Sequence, residues 1–166
     1  GGPAGLEAAR GVIELGYECI LVEQRDSLGG SPISASYAAL TPDMEDTEVA
    51  MARMIDSVVG NELADIRLGN SVTAVEGSAP EFKVTLQSDS GSEIVDICSV
   101  VVATGFKHFD PGRETQKYGY YEYDDVLTLV DAEKMLKSGS FVRPSTGEAP
   151  KTVCFVQCVG SRDRQI

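Results

Sequence analysis

Tryptophan is absent from the 166 residues and His108 is the single histidine, which excludes a metal site built on several imidazoles. Basic residues are scarce, 14 against 26 acidic ones, and the formal charge of −12 argues against nucleic acid or anionic lipid as a principal partner. No apolar run approaches the roughly 18–20 residues that span a bilayer, so a soluble chain is expected. Cysteines number four, at 19, 98, 154 and 158, with no secretory signal ahead of them. An initiator methionine is also missing, so the chain is expected to be processed or to be a piece of something longer.

What is present is ordinary in bulk and uneven in distribution. At 42% hydrophobic and 24% charged, the composition is that of a globular chain of about one domain. The first hundred residues carry five basic and seventeen acidic side chains, whereas residues 101–166 carry nine of each. The whole net charge therefore belongs to the first part. The balanced remainder is better suited to meet an acidic partner or to lead into another domain.

Hydrophobic periodicity alternates between helix and strand. Leu6, Ala9, Val12 and Ile13 mark one face of a helix over residues 3–15, closed by Gly16. Cys19-Ile20-Leu21-Val22 reads as a strand apolar on both faces, the habit of parallel strands. Thr41-Pro42 has the form of an N-cap with proline at N1, opening a helix that carries Val49, Met51, Met54, Ile55, Val58 and Val59 and stops at Gly60. Strands are expected over 65–68, 71–75, 82–86 and 93–97, then over 99–103 and 152–159, with a helix over 126–136. The fold class is α/β with an antiparallel insertion.

Gly2-Pro3-Ala4-Gly5 fits the last two glycines of G-x-G-x-x-G, with Gly1 as the intervening residue. The first glycine and a buried strand are expected to precede residue 1, and the isolated 166 residues are therefore expected to bind a dinucleotide poorly. Gly2 lets backbone N–H groups approach a pyrophosphate, Gly5 allows close helix–strand packing, and the helix start favours an anion. Glu23 ends the next strand 18 residues after Gly5, where an acid holds ribose hydroxyls and repels a 2′-phosphate. FAD or NAD is thus favoured over NADP.

Leu28-Gly29-Gly30 and the apolar run ending in Ala103-Thr104-Gly105 complete a set of four signals in order. Together they resemble the two-dinucleotide-binding-domain flavoproteins of the glutathione reductase type, over roughly residues 1–110. The resemblance implies a Rossmann-like three-layer FAD domain. Its cofactor-binding residues would be Gly2, Pro3, Ala4, Gly5, Glu23, Gln24, Arg25, Gly29, Gly30, Ser31, Val72, Ala103, Thr104 and Gly105. Val72 matches a position whose backbone contacts adenine, and Ala103-Thr104-Gly105 the place where the chain passes the flavin.

From Gly105 onward, Phe109-Asp110-Pro111, Tyr118-Gly119-Tyr120 and Gln157-Cys158-Val159-Gly160-Ser161-Arg162-Asp163 look like the A-type flavoprotein of heterodisulfide reductase and its relatives. No Cys-x-x-Cys-x-x-Cys interrupts residues 31–100, so the chain most resembles the shorter form, the A-type flavoprotein of the quinone-interacting membrane-bound oxidoreductase complex of sulfate reducers. The resemblance implies an FAD-dependent electron-transfer oxidoreductase, working with other subunits that are iron–sulfur proteins. It would be cytoplasmic, meeting a membrane only through a partner. Residues 1–110 form the FAD-binding domain in this reading, and 111–166 a family-specific extension. Two alternatives stand beside it: an NAD(P)H-dependent flavin enzyme of the disulfide-reductase type, and a flavin-free assembly module. No second glycine motif follows residues 152–159, which disfavours a nicotinamide donor.

No residue is assigned a catalytic or metal-binding role. On a strand, Cys154 and Cys158 would stand about 13 Å apart, beyond the reach of a disulfide. Cys154 is expected to fill core, while Cys158 lies at the family motif. His108 is expected at the surface, and the tyrosines at 118, 120, 121 and 123 in a loop folded onto the domain.

Overall fold

The structure is a computed structural model in which residues 1–111 and 117–159 are described. They form two compact units. The first comprises Gly1–Ser34 and Glu45–Gly105; the second, Ala35–Met44 and the described residues from Phe106 onward.

The first unit has the α/β character expected. Helix α1, Pro3–Glu14, starts from an extended Gly2 and buries Leu6, Ala9 and Ile13 at helical spacing. It ends where Gly16, at φ +85°, returns its N–H to the Ile13 carbonyl. α1 packs on strand β1, Cys19–Glu23, which pairs in parallel with β4, Ala64–Leu68, Leu21 opposite Ile66 and Glu23 opposite Leu68. The short helix α2, Gly30–Ser34, packs on α3, Thr47–Asp56, whose Ala50 and Met51 are buried. Leu6 and Met51 are fully enclosed, and each such side chain contributes about 1.5–3 kcal/mol of transfer free energy. An antiparallel sheet follows, β5 (Ser71–Ser78), β6 (Glu81–Ser88) and β7 (Gly91–Ile97), in that order, burying Val84 and Leu86.

Three expectations need correction. Helix α3 is not opened by Thr41-Pro42, which is a cis peptide beyond the two-residue strand β2, Ala39–Leu40. Asp46, closing the two-residue strand β3 (Glu45–Asp46), supplies the cap: its carboxylate accepts the Val49 N–H at 3.2 Å. A carboxylate that reaches the first turn outcompetes an upstream threonine as the start signal. Residues 99–103 belong to no strand, and Val101 and Val102 are 64% and 80% exposed. A strand exists through its ladder partner, and these residues have none among the described residues. The described residues of 152–159 fail as a strand for the same reason, leaving Phe155 75% exposed.

In the second unit, helix α4, Leu129–Lys137, begins later than the periodicity predicts, because Thr128 and Asp131 form a reciprocal capping box. Asp125 holds a neighbouring loop: its carboxylate accepts from the Arg143 guanidinium at 2.7 Å and from the Ser145 N–H at 3.0 Å.

Candidate functional site

The site is built where two glycine-bearing loops touch. Gly2 caps α1 with its backbone alone, and the first turn of the helix holds no acidic residue. Pro3 occupies N1, where its missing N–H costs nothing. Gly29 donates its N–H to the Gly1 carbonyl at 2.8 Å. Gly30, at φ +58°, lies so near that a Cβ there would stand 2.6 Å from the Gly2 Cα. No side chain fits at Gly30 without moving the phosphate-type loop. Ser31 is half-buried in α2, directly beyond this contact, and Ala4 is exposed at the start of α1.

Glu23 stands at the carboxyl end of β1 with its side chain 11% exposed. Its Oε1 accepts the Arg25 N–H at 2.9 Å, and its Oε2 lies 3.0 Å from the Gly1 nitrogen. Burial works to raise the Glu23 pKa, while the Arg25 N–H and the charge of its guanidinium work to lower it. Gln24 and Arg25 continue into an exposed loop. Two backbone bonds tie this loop to the turn after β4: Asn70 N–H to the Glu23 carbonyl at 3.0 Å, and Gly69 N–H to the Arg25 carbonyl at 2.8 Å. Val72, 48% exposed on β5, lies two residues beyond that turn.

Gly5 is buried, yet a Cβ on it would meet the Ala103 Cβ and the Leu21 Cδ1 at 3.6 Å, ordinary contact distances. The strict demand for glycine therefore falls on Gly30 rather than on Gly5. The same measurement brings Ala103 against the helix that starts the site. Thr104 and Gly105 follow exposed, with Gly105 at φ +71°. The structure thus gathers Gly2, Gly29, Gly30 and Glu23 around Gly1, attaches Val72 through Asn70, and sets Ala103 beside Gly5.

Sequence reasoning misses Gly69 and Asn70, although a Gly-Asn pair between two strands is a turn signal. It also misses the partner of His108. In the second unit the Tyr37 hydroxyl lies 2.9 Å from His108 Nε2, and Phe106 meets the imidazole edge-on at 5.1 Å. Tyr120 donates to Asp131 at 3.0 Å and Tyr121 to Asp110 at 3.3 Å, while Tyr118 and Tyr123 are exposed. Cys154 is exposed rather than in the core, since the strand that would have buried it does not form. Cys98 is also exposed, and Cys19, half-buried, has its thiol pKa raised by burial. Of the family motif, Gly160, Ser161, Arg162 and Asp163 lie outside the described residues.

A helix start free of acids attracts an anion, glycine backbones admit close approach, and a fixed carboxylate at a strand end accepts from hydroxyls. That combination suits a diphosphate joined to a ribose. Comparison with known proteins identifies the family. Residues 1–141 match the family described as pyridine nucleotide-disulphide oxidoreductase. The whole chain aligns at 25% identity with 31% of the A-type component of the ferredoxin/F420H2-dependent CoB-CoM heterodisulfide reductase of Methanosarcina acetivorans. Over 41% of the chain, identity reaches 44% with 9% of the A-type component of the ferredoxin:CoB-CoM heterodisulfide reductase of Methanosarcina mazei. The chain thus spans about a third or less of these relatives' length. Among solved structures, L-proline dehydrogenase from P. horikoshii superposes with a TM-score of 0.56 at 26% identity, over 63% of this chain and 21% of that one.

Proposed function

The chain belongs to the pyridine nucleotide-disulphide oxidoreductase family, and from that premise we propose that it is the FAD-binding part of a heterodisulfide-reductase-A-like flavoprotein that passes electrons between protein partners. The observation that carries this reading is the backbone clasp of Gly1 and Gly2 with Gly29 and Gly30 beside the immobilised Glu23. Gly2, Pro3, Ala4 and Gly5 at the start of α1, with Gly29, Gly30 and Ser31, would hold the diphosphate. Glu23, Gln24 and Arg25 would take the adenosine ribose, with Val72 toward the adenine. Ala103, Thr104 and Gly105 would flank the flavin. Residues 1–110 act as the cofactor domain in this proposal and 111–166 as the extension.

The bound flavin supplies the redox chemistry; the chain orients it and sets its surroundings. Relatives named for ferredoxin support iron–sulfur proteins as partners. The uninterrupted stretch of residues 31–100 supports a likeness to the quinone-interacting complexes of sulfate reducers. By that likeness the chain works in the cytoplasm and meets a membrane only through a partner. No helix among the described residues is long and apolar enough to cross a membrane.

The full-length protein loaded with FAD should retain a visible flavin band after gel filtration. Glu23→Gln, which can keep one oxygen on the Arg25 N–H but replaces the other acceptor oxygen with an amide donor and removes the charge, should weaken FAD about tenfold. NADH or NADPH should bleach the band slowly or not at all. Rapid anaerobic bleaching would move the reading to a nicotinamide-dependent flavin enzyme, and a colourless protein to an assembly module.

A further inference from the structure

We infer that the Gly69-Asn70 turn is a positioning element for the adenosine half of the cofactor, acting through Glu23 rather than by touching the ligand. The inference rests on the FAD reading of the site.

Two hydrogen bonds tie this turn to the 23–25 loop, and a third braces it from within. The Asn70 N–H holds the Glu23 carbonyl, the Gly69 N–H holds the Arg25 carbonyl, and the Asn70 side-chain amide braces the turn by donating to the Leu68 carbonyl at 2.8 Å. Arg25 in turn donates its N–H to the Glu23 carboxylate. The Glu23 side chain is therefore aimed by Arg25, and Arg25 is held by Gly69. A carboxylate at the end of a strand is otherwise free to swing, because β1 stops at that residue. Holding its main chain on one side and its side chain on the other removes that freedom before any ribose arrives, which is how a binding group avoids the entropic cost of ordering.

The backbone conformation of the turn suits this task. Gly69 sits at φ +64° with open space where a Cβ would be. Its glycine is thus required by backbone conformation, not by room. Asn70 starts the chain into β5, so the antiparallel sheet becomes the anchor of the clamp. A second, independent tie of the same sheet is Arg67, whose Nη1 reaches the Glu93 carboxylate of β7 at 3.0 Å. Arg67 fastens that sheet to strand β4, its side chain engaged by Asp65 and Glu93 rather than by the 23–25 loop, and serves as the structural control.

The test uses the full-length protein stripped of flavin, titrated with FAD, FMN and ADP, with melting temperatures alongside. Asn70→Ala should raise the Kd of FAD and of ADP by one common factor of about ten, leaving FMN unchanged. Combined with Glu23→Gln it should add less than about twofold, since both changes act through one carboxylate. Gly69→Val should mimic Asn70→Ala, whereas Gly69→Asn, which tolerates the left-handed backbone, should stay within about twofold of wild type. Arg67→Gln should lower the melting temperature without moving ADP. The inference falls if Asn70→Ala and Gly69→Val leave ADP affinity unchanged, if their effects multiply with that of Glu23→Gln, or if Arg67→Gln shifts ADP equally. A wild-type protein that binds ADP but not FAD sinks the FAD reading alone, and the ADP titrations still decide the turn; one that binds neither sinks both.

Discussion

The two units lean on different groups to hold their polar side chains in place. Around Glu23 in the first unit the holding donors are backbone N–H groups, from Arg25, Gly69 and Asn70, on loops whose shape depends on Gly29, Gly30 and Gly69 in left-handed conformations. In the second unit the acceptors are side-chain carboxylates. Asp131 gathers the Thr128 N–H, the Thr128 hydroxyl and the Tyr120 hydroxyl on one oxygen, and Asp125 gathers Arg143 and Ser145. Backbone donors do not titrate and only proline removes them, but a single added Cβ can wreck the geometry that aims them. Side-chain acceptors tolerate bulk nearby and fail when protonated. The first unit should therefore be the sterically fragile one, while the second, where Asp125 and Asp131 each gather several donors, should lose more when its carboxylates are protonated.

The sharpest break of that contrast is Gly30→Val. A β-branched residue at φ +58° costs about 1–2 kcal/mol in backbone strain, and its Cβ would press on the Gly2 Cα, which is main chain and cannot rotate away. FAD affinity in the full-length protein should fall on the order of a hundredfold or more, about 2.7 kcal/mol, read from the flavin band retained on dialysis. Retention of wild-type affinity would show that the two loops do not need to touch for the cofactor to bind.

An intermediate effect is expected in the second unit. Burial works to raise the Asp131 pKa, but the Thr128 and Tyr120 donors prevail and set it below the usual aspartate value. Asp125 is lowered likewise, first by the Ser145 amide, then by the Ser145 hydroxyl and Arg143. A carboxylate whose folded pKa is depressed contributes its stability above the unfolded value of about 3.9, and loses it as pH falls through the folded one. Five of the six tyrosines lie beyond residue 34, so near-ultraviolet circular dichroism reports chiefly on the second unit. That signal should decay below about pH 4 before the far-ultraviolet signal of α1 and the sheets. Thr128→Ala, which removes the cap, should cost about 1 kcal/mol and move the decay to higher pH. A single common midpoint for both signals would mean the units unfold together.

Much of the first unit is legible in the sequence because its signals are local. Leu6, Ala9 and Ile13 announce α1, Glu23 ends its strand, and Gly29 and Gly30 come as a pair. Elsewhere the deciding information is tertiary. Residues 99–103 and 152–157 are as apolar as any strand in the chain, yet a strand needs a neighbour, and composition cannot report whether one is present. The cap of α3 is misread because Thr41-Pro42 and Asp46 are both good start signals, and only the bond to Val49 distinguishes them. The Gly69-Asn70 clamp and the Tyr37–His108 pair join residues more than 40 positions apart, out of reach of any pattern read along the chain.

The smallest effect is the most informative about how glycine is used here. Motif logic places Gly5 and Gly30 together among the cofactor-binding glycines. Geometry separates them: at Gly30 a Cβ meets main chain at 2.6 Å, whereas at Gly5 it meets two side-chain atoms at 3.6 Å. Gly5 also lies inside α1, where alanine is favoured over glycine by about 1 kcal/mol. Gly5→Ala should therefore leave the melting temperature unchanged or slightly raised, with FAD affinity within about twofold of wild type. Calorimetry and a flavin titration on the full-length protein measure both. A large loss of affinity without loss of stability would place the diphosphate closer to Gly5 than to Gly30, and would shift the steric fragility of the first unit from the loop contact to the helix itself.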